Sequence, residues 1–480
     1  MPMKRLHTQY LSDDDLSSIE ETSYRLLNEV GISLQHSGAT EMLHGLGCRV
    51  ERGRTFIPPD VVRWGLDHVT PQKTLYSLDG RYAVPLGDGA IRFHNGGGPP
   101  FILNAETGER ALATSDDLTR MTRLLDALPN VDEICVLFTP QEVPGELMSV
   151  ISTAIMLRNT RKPVAGPGAE NAKDANYIIE MAAACVGGRE ALRQRPCMTL
   201  AVSPVSPLIF TENIAAAIMA IAEAGIPFHS LPAPSLGATG PITLAGCLAQ
   251  QHAEVLASLI IAAATRAGAP VMYCSRINPL DLRRAVSSWG GPEVGIASAG
   301  ATQLAHRLGL CCDAYGLCTS ASVLDPVFAY QRMANAMIPA LAGADIMSGV
   351  GTIESGMAGC LEAAVIDDEI IGLIKHIVRG YEVSPETLAF DVMQEVIPSG
   401  GVFLSETHTV REMRKGAIWV PKLGDAPAGS SGDSRANVIG RARARVNEIL
   451  RKHDVAPLPD DVQSHLDEIV ARARREAIAE

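Results

Sequence analysis

Short apolar runs alternate with longer amphipathic segments through the middle of the chain. Each of eight such runs is short enough for a buried strand and is followed by a stretch with helical periodicity. The strands predicted from these runs cover residues 90–95, 133–139, 163–166, 197–202, 227–231, 270–274, 310–314 and 345–348. The helices predicted after them cover residues 115–128, 145–158, 171–186, 211–224, 242–267, 291–308, 326–342 and 358–379.

Eight successive strand and helix units predict an α/β fold built on a (β/α)8 TIM barrel, although an open doubly wound sheet fits the same alternation. Before the barrel, the pattern predicts a first helix over residues 11–31 and strand-like pieces between residues 73 and 113. We therefore expect an N-terminal helical and hairpin extension over residues 1–89 and the barrel over residues 90–384. A C-terminal helical tail over residues 385–480 is expected to pack on the barrel.

The charge balance and the hydropathy pattern exclude several classes of partner. The 480 residues include 41 basic and 54 acidic side chains, and the net charge of −13 argues against a general nucleic-acid or anionic-membrane footprint. The N-terminal residues lack the apolar core of a secretion signal, and charged residues, Gly or Pro interrupt the most apolar stretches. We therefore expect a soluble, cytoplasmic protein that binds neither nucleic acid nor membranes.

Neither the cysteines nor the acidic residues show the spacing of a metal site. The ten cysteines are spread through apolar segments, and none lies in a CxxC pair. In a cytosolic chain these thiols are expected to be reduced. Three consecutive acids, Asp367 to Glu369, fall within a predicted helix and are interpreted as a solvated helix face. The sequence therefore predicts no bound metal ion.

The carboxyl ends of the predicted strands, where the reacting groups of a TIM barrel lie, are rich in Gly, Pro and Ser and poor in paired acids. A hydrolase or an isomerase usually shows clustered carboxylates, a Ser/His/Asp arrangement or a lysine at such strand ends. The side chains with binding chemistry near these ends and in the later loops are Phe93, His94, His229, Tyr273, Arg276, Asp313, Tyr315, Glu354 and His408.

Several of these candidates also have a purely structural interpretation. The three histidines lie beside turn residues and are suited to ligand binding or to hydrogen bonds within the fold. Tyr273 and Tyr315 could present their faces to a cation, or they could be core rings whose hydroxyls reach water. Glu354 follows a glycine-rich turn, where it could neutralise a cationic ligand or cap a helix that starts near residue 357.

An ordered set of short motifs gives the chain a resemblance to a known family. The motifs cover residues 93–100 (FHNGGGPP), 104–110 (NAETGER), 127–132 (ALPNVD), 158–163 (RNTRKP), 203–208 (SPVSPL), 237–246 (GATGPITLAG) and 342–345 (AGAD). Taken together and in this order, they resemble the trimethylamine methyltransferase superfamily. The resemblance extends from about residue 10 to the C-terminus.

The resemblance implies a (β/α)8 barrel that moves a methyl group from a methylated amine to the cobalt of a separate corrinoid protein. A corrinoid is then the expected cofactor, and its carrier protein is the expected partner. The founding branch of the family carries pyrrolysine in a segment similar to residues 319–325, and the matching position here is Val323. This implies the non-pyrrolysine branch, with a small quaternary ammonium or sulfonium substrate such as glycine betaine.

A quaternary ammonium substrate needs no acid catalyst, because its nitrogen leaves as a neutral amine and the reduced corrinoid is a strong nucleophile. The protein then has to hold the cation and aim one methyl group. Phe93, Tyr273 and Tyr315 are the candidate aromatic faces, each contributing about 0.5 to 2 kcal/mol, and Glu354 is the candidate carboxylate. Arg276 or one of the three histidines could donate to the carboxylate of a betaine. Asp313 completes the expected substrate-binding set.

Three alternatives remain open at this point. The same barrel could pass the methyl group directly to tetrahydrofolate. A zinc enzyme could use Cys274, Cys311, Cys312 or Cys318 with a histidine, although Cys311 and Cys312 would point to opposite faces of one strand. A binding protein for betaine-like ligands without catalysis is the third alternative. A homo-oligomer is expected in each case.

Overall fold

The computed structural model describes residues 6–424 and 437–479. Residues 425–436, which belong to the expected C-terminal tail, lie outside the described residues. Within the described ranges, a ring of parallel strands surrounded by helices occupies the centre, with one extension before it and another after it.

Six regular parallel strands form most of the central ring. They are β1 (Arg92–Asn95), β2 (Leu200–Val202), β3 (Phe228–Ser230), β4 (Ala269–Cys274), β5 (Cys312–Tyr315) and β6 (Ile346–Val350). Neighbours in the ring follow the chain order from β2 to β6, and β6 pairs with β1. Single bridges join residues 94 with 133, 134 with 164, and 164 with 198, which connects β1 back to β2. The ring is therefore closed at eight positions, and the predicted (β/α)8 barrel is confirmed.

The second and third predicted strands, residues 133–139 and 163–166, differ from a regular ladder because they form only isolated bridges. The side chain of Asn95 explains part of this difference. Its Oδ1 accepts a hydrogen bond from the backbone N of Cys135 at 2.8 Å, and its Nδ2 donates to the backbone O of the same residue at 2.8 Å. A side-chain amide thus takes the place of a neighbouring strand where this part of the chain leaves the ladder.

Eight helices cover the outside of the ring, each within a few residues of its predicted bounds. They are Ser115–Ala127, Met148–Asn159, Ala172–Val186, Glu212–Ala224, Leu244–Thr265, Pro292–Arg307, Pro326–Leu341 and Leu361–Arg379. Side-chain caps start several of them, because Thr114 accepts from the backbone N of Asp117 and Asp325 accepts from that of Phe328. A short additional helix, Arg189–Gln194, precedes β2.

Among the described residues, one helix, Leu244–Thr265, is long and apolar enough to cross a membrane by its length and composition. In the fold, 94% of its most apolar window is buried. The helix packs between β4 and the helices of the N-terminal extension. The apolar surface of this helix is therefore buried in the core of the protein.

The N-terminal extension closes the end of the barrel at which the strands begin. Its helices and its main hairpin are Asp13–Arg25, Ser37–Gly45, Pro59–Asp67 and the pair Thr74–Tyr76 with Ala83–Pro85. From this hairpin, Leu75 and Val84 pack against Met272 and Ile346, which point into the barrel from β4 and β6. The carboxyl ends of the strands are therefore the end left open.

Short strands surround the barrel beyond its main ring. Four of them form one sheet, and they are Phe101–Leu103, Arg110–Leu112, Thr352–Ile353 and Ala358–Gly359. The others are Ser33–Leu34, Arg49–Glu51, Arg54–Phe56, Val69–Pro71, Ile209–Phe210, Ser235–Leu236, Asn278–Asp281 and Val286–Ser287. The loop after β4 therefore contains the short strands Asn278–Asp281 and Val286–Ser287, and the loop after β6 contains Thr352–Ile353 and Ala358–Gly359.

The C-terminal extension begins with three short helices and ends with two long ones. Their bounds are Pro385–Leu388, Phe390–Val396, Thr407–Arg414, Val438–Lys452 and Asp460–Ala479. The two long helices pack on the outer helices of the barrel. Arg123 donates to the backbone O of His453 at 2.9 Å, and Arg158 pairs with Asp467 at 2.6 Å.

The expectation that Asp367 to Glu369 form a solvated helix face is wrong for the first two residues. Asp367 is fully buried and Asp368 is nearly so. Asp367 pairs at 3.0 Å with Arg332, whose side chain is also fully buried. Arg332 donates as well to the backbone O atoms of Leu317 and Gly349, just after β5 and within β6. The buried pair therefore fixes the carboxyl ends of two adjacent strands. Asp367 can lie in the core because Arg332 is its ion-pair partner.

Candidate active site

A cavity of about 850 Å³ opens at the carboxyl ends of the barrel strands. Its floor consists of side chains that point inward from β1, β3 and β5, and its walls come from the loops that follow the strands. Glycines at positions 96–98, 166 and 168 line the rim, where missing side chains keep the entrance wide. The cavity lies at the place in a TIM barrel where ligands bind.

Asp313 is the centre of the cavity floor. Its Oδ2 accepts a hydrogen bond from Nη2 of Arg276 at 2.8 Å and lies 3.4 Å from Nδ1 of His229. Its Oδ1 lies 3.3 Å from Nε2 of His94. Burial alone would raise the pKa of Asp313, but the charge of Arg276 and the two histidines hold it well below the ordinary value. The carboxylate is therefore ionised, and side chains from three other strands or strand ends meet at it.

The two histidines of the floor are held differently. Nδ1 of His94 lies 2.7 Å from the backbone O of Asn95, and its Nε2 faces the Asp313 carboxylate. Both ring nitrogens of His94 are thus within hydrogen-bonding range of oxygen atoms, which fixes the orientation of the ring. His229 has Nδ1 against Asp313, while its buried Nε2 has no partner among the described residues. The floor therefore holds the ion pair of Arg276 and Asp313, with the two histidine rings on either side of the carboxylate.

Arg276 is fixed by several contacts at once. Its Nη1 donates to the backbone O atoms of Ser275 at 2.8 Å and Asp313 at 3.1 Å. Its guanidinium carbon lies 5.4 Å from the centre of the Tyr315 ring. Burial would lower the pKa of Arg276, but the adjacent Asp313 raises it above the ordinary value, so the charge is permanent.

Two aromatic rings form a corner in the cavity wall. The rings of Trp289 and Tyr315 meet edge to face with their centres 4.7 Å apart, and both residues line the cavity. The Tyr315 hydroxyl lies 3.4 Å from Oγ1 of Thr352. Such a corner presents π faces to a compact cation.

Three loops hold Trp289 in place. Its backbone N donates to Oγ of Ser355 at 3.3 Å, and the next backbone N, of Gly290, donates to Oγ of Ser320 at 2.9 Å. The two serine hydroxyls are 3.1 Å apart. The loops after β4, β5 and β6 are thus tied together beside the aromatic corner. The residues predicted from the sequence did not include Trp289, Ser320 or Ser355, because these lie well beyond the strand ends. The one signal that the sequence offered is that Trp289 is one of only three tryptophans in the chain.

The structure brings together five of the nine residues proposed from sequence. His94, His229, Arg276, Asp313 and Tyr315 all line the cavity. Each of them points inward from a strand or follows the end of one.

Phe93 and Tyr273 do not line the cavity, because side chains alternate along a strand and these two point outward. The Phe93 ring lies 5.4 Å from Nζ of Lys375 on an outer helix. The Tyr273 hydroxyl lies 3.1 Å from Nδ1 of His252, also on an outer helix. Neither face is available to a ligand in the cavity.

Glu354 and His408 also lie apart from the cavity lining. Glu354 forms an ion pair with Arg110 at 2.9 Å, although the next residue, Ser355, lines the cavity. His408 lies on the short helix Thr407–Arg414 in the C-terminal extension. The carboxylate that sequence reasoning assigned to the ligand is thus already neutralised by an arginine.

The cysteines considered for zinc do not form an open metal site. In the described part of the chain, the potential ligand atoms of His229, Cys274 and Asp313 form the single three-residue cluster, within 4.8 Å of one another. A metal ion bound at this cluster would lie beside the positively charged guanidinium of Arg276, which already forms an ion pair with Asp313. Burial also raises the pKa of Cys274 well above its ordinary value. Cys311 lies at the opposite end of the barrel, beside Leu75 and Ile346.

The family is decided by the match of the whole chain to known proteins. A family model described as trimethylamine methyltransferase (MTTB) matches residues 3–478. The chain belongs to the trimethylamine methyltransferase family. It is 29% identical over 469 residues to glycine betaine methyltransferase of Desulfitobacterium hafniense strain Y51, covering 97% of each protein. It is also 29% identical to trimethylamine methyltransferase MttB of strain DCB-2 of the same species, covering 97% of this chain and 94% of that protein.

A solved structure shows the same fold. The crystal structure of the monomethylamine methyltransferase MtmB of Methanosarcina barkeri matches with a TM-score of 0.55 and 14% identity. The match covers 98% of this chain and 88% of that one. The protein is thus a methyltransferase of the trimethylamine methyltransferase family, and its cavity occupies the catalytic end of a TIM barrel.

The ion pair on the cavity floor of this methyltransferase gives a pH-dependent prediction for the variant Arg276→Met. In the wild type, the folded pKa of Asp313 is lowered, so its contribution to stability is complete above the unfolded pKa of about 3.9 and is lost as the pH falls. Without Arg276, burial is opposed only by the histidines, and the pKa of Asp313 rises. We expect a loss of about 3 to 5 kcal/mol at pH 7. If the folded pKa rises above the unfolded value, the loss becomes smaller as the pH is lowered towards 5.

The measurement is denaturant unfolding at a series of pH values between 5 and 8. The double variant Arg276→Met/Asp313→Asn is the matched control, because it lacks the titrating carboxylate and retains the same cavity shape. Equal pH dependence of the single and double variants would contradict the assignment of Asp313 as a carboxylate held ionised by Arg276.

Proposed function

We propose that the protein demethylates a small zwitterionic onium compound of the glycine betaine type. In this proposal the methyl group passes to the Co(I) centre of a partner corrinoid protein in the cytoplasm. The membership in the methyltransferase family supports the reaction class. The observation that carries the choice of substrate is the aromatic corner of Trp289 and Tyr315 beside the guanidinium of Arg276.

The two halves of such a substrate match the two parts of the cavity. A trimethylammonium group has no hydrogen-bond donor, so π faces suit it, and each contributes about 0.5 to 2 kcal/mol. A carboxylate suits the floor, where the guanidinium of Arg276 carries donors. Arg276 has five donor hydrogens, and its hydrogen bonds to Asp313 and Ser275 leave others for a ligand. Glu170 on the cavity lining adds a carboxylate away from the floor.

This placement orients the reacting group. With the carboxylate on the floor, the ammonium end points towards the open mouth of the barrel, and one N-methyl group faces outward. Holding the reacting carbon in line with an approaching nucleophile removes much of the entropic barrier of a bimolecular transfer. No proton has to move, since the departing nitrogen keeps the electron pair of the broken C–N bond and leaves as a neutral tertiary amine.

The residues around the mouth fit the approach of a large planar group. A Cβ at Gly97 would lie 3.1 Å from the backbone O of Val136 and 3.3 Å from Sγ of Cys135, so a larger residue there would require its neighbours to shift. The glycines at positions 96–98, 166 and 168 add no side chains to the rim, which favours access to the cavity from above. The corrinoid supplies the nucleophilic electron pair for the new bond to the methyl carbon. In this proposal the chain binds the substrate, orients its methyl group and leaves the cavity open to the corrinoid.

Val323, at the position that the resemblance matches to pyrrolysine, is 45% exposed and lies outside the cavity lining. The cavity itself instead offers a fixed arginine and two aromatic rings. This arrangement supports a substrate that already carries a positive charge on nitrogen or sulfur.

Calorimetry with substrate analogues tests the proposed cation recognition. Glycine betaine should bind, whereas 3,3-dimethylbutanoate, its neutral isostere at the quaternary centre, and tetramethylammonium, which lacks the carboxylate, should both bind at least ten-fold more weakly. Trp289→Leu and Tyr315→Leu should each weaken glycine betaine binding by about five- to thirty-fold, since one cation–π contact is lost. Trp64→Leu, a tryptophan outside the cavity, is the control and should leave affinity unchanged. Equal affinities for the cation and its neutral isostere would overturn the proposal.

A second experiment tests the methyl acceptor. Dimethylglycine should form from glycine betaine only when the protein is mixed with a reduced corrinoid protein or free reduced cobalamin. Tetrahydrofolate alone should give none. Mass spectrometry of the amine product provides the measurement, and product formation with tetrahydrofolate alone would replace the corrinoid in this proposal. An absence of product with every acceptor, together with tight betaine binding, would instead indicate a binding protein.

A further inference from the structure

Glu133 is a buried carboxyl group that the proposed methyl transfer does not use. It lies at the start of the second predicted strand, and none of its surface is exposed. Neither of its side-chain oxygens has a hydrogen-bond partner among the described residues. Burying a carboxyl group without a partner costs stability, and few such groups occur in folded proteins. A group of this kind beside a cavity is a candidate for a role in that cavity.

The side chain of Glu133 points into the barrel, beneath the cavity lining. Glu133 is the register partner of His94, and paired residues of neighbouring parallel strands point to the same face of the sheet. His94 points inward to Asp313, so Glu133 points inward as well. Two residues further along the chain, Cys135 faces the same side and lines the cavity, whereas Glu133 does not line it. Glu133 therefore lies one layer of side chains below Cys135.

Burial and the nearby charges favour the neutral form of Glu133. Burial is the largest cause, and the ionised Asp313 on β5 and Asp132 on the same segment both oppose a further negative charge. The guanidinium of Arg92 on β1 acts in the opposite direction, but it forms an ion pair with Asp88 at 3.0 Å. Together these causes raise the pKa of Glu133 to about 8. At neutral pH, Asp313 is therefore ionised and Glu133 carries a proton.

Further titratable or charged side chains face the barrel interior at this level. They are His94, His229, Arg276, Cys135 and Cys274. The two histidines and the arginine are directed at Asp313. Burial raises the pKa of both thiols, which are therefore uncharged at neutral pH. Within the described ranges, none of these five side chains donates a hydrogen bond to Glu133.

We propose that Glu133 sets the pH range in which the cavity binds its substrate, because its proton keeps a second negative charge out of the floor. This inference rests on the proposed function, in which the carboxylate of a zwitterion binds to Arg276. Arg276 already forms an ion pair with Asp313, so an ionised Glu133 would leave two carboxylates beside one guanidinium. In an interior of low dielectric, the added charge repels the carboxylate of the ligand. Glu133 does not contact the substrate and acts through its charge alone.

Calorimetry of glycine betaine binding between pH 6 and pH 9 tests the proposal. The dissociation constant of the wild type should rise about ten-fold from pH 7 to pH 9, because only the fraction with a protonated Glu133 binds the ligand. The variant Glu133→Gln stays neutral and should lose this dependence on pH. Tetramethylammonium, which has no carboxylate, should not bind more weakly to the wild type as the pH rises. Glu21→Gln, at an exposed position of the first helix, is the control and should keep the wild-type pH dependence.

Unfolding by denaturant gives a second readout that needs no ligand. The folded pKa of Glu133 is raised above the unfolded value of about 4.3, so the folded protein retains a proton that the unfolded chain releases. The resulting loss of stability grows as the pH rises from about 4.3 to about 8. The free energy of unfolding of Glu133→Gln, relative to that of the wild type, should therefore increase from pH 5 to pH 8. A difference that stays constant over this range would overturn the proposal.

Infrared spectroscopy of the wild type gives a third readout that relies on no variant. A C=O band of a protonated carboxyl group should be present at pH 7 and should disappear as the pH is raised through about 8. The absence of such a band at pH 7 would overturn the proposal.

The binding experiment separates the role of Glu133 from the choice of substrate. If glycine betaine binds with the same pH dependence to the wild type and to Glu133→Gln, the role of Glu133 is overturned and the proposed substrate stands. If glycine betaine binds at no pH to either protein, the proposed substrate is overturned, and the role of Glu133 with it.

Discussion

The ion pair between Asp313 and Arg276 is the interaction on which the cavity depends. A carboxylate at the centre of a barrel is tolerated only because a permanent cation lies 2.8 Å away and two histidines complete its surroundings. The pair fixes the guanidinium beside the Tyr315 ring and thereby defines the boundary between a charged floor and an aromatic wall. The proposed recognition of a zwitterion rests on that boundary, since each half of such a ligand would meet the part that suits it.

The surrounding fold serves this arrangement. The N-terminal hairpin fills one end of the barrel with Leu75 and Val84, so that only the carboxyl ends of the strands stay open. The buried pair of Arg332 and Asp367 holds the loops after β5 and β6 from below. The hydroxyls of Ser320 and Ser355 then position Trp289. Each support is a specific contact made by residues distant in sequence.

The sequence was sufficient to predict the barrel, because eight apolar runs separated by helices leave few other arrangements. It also placed His94, Arg276 and Asp313 near the cavity, because strand ends of a barrel converge. It could not predict which of two successive residues points inward, since strands buried on both faces show no alternation, and Phe93 and Tyr273 therefore lie outside the cavity. The pairing of Glu354 with Arg110 and the role of Trp289 depend on loops whose course no local pattern encodes.

A crystal structure of the protein with glycine betaine is the most direct test of the account. We expect a trimethylammonium group within about 6 Å of both the Trp289 and Tyr315 ring centres, with the carboxylate on Arg276 and one methyl group facing the barrel mouth. A ligand bound in the reverse orientation, with its carboxylate among the aromatic rings, would contradict it. So would a metal ion held by His229, Cys274 and Asp313 with Arg276 displaced.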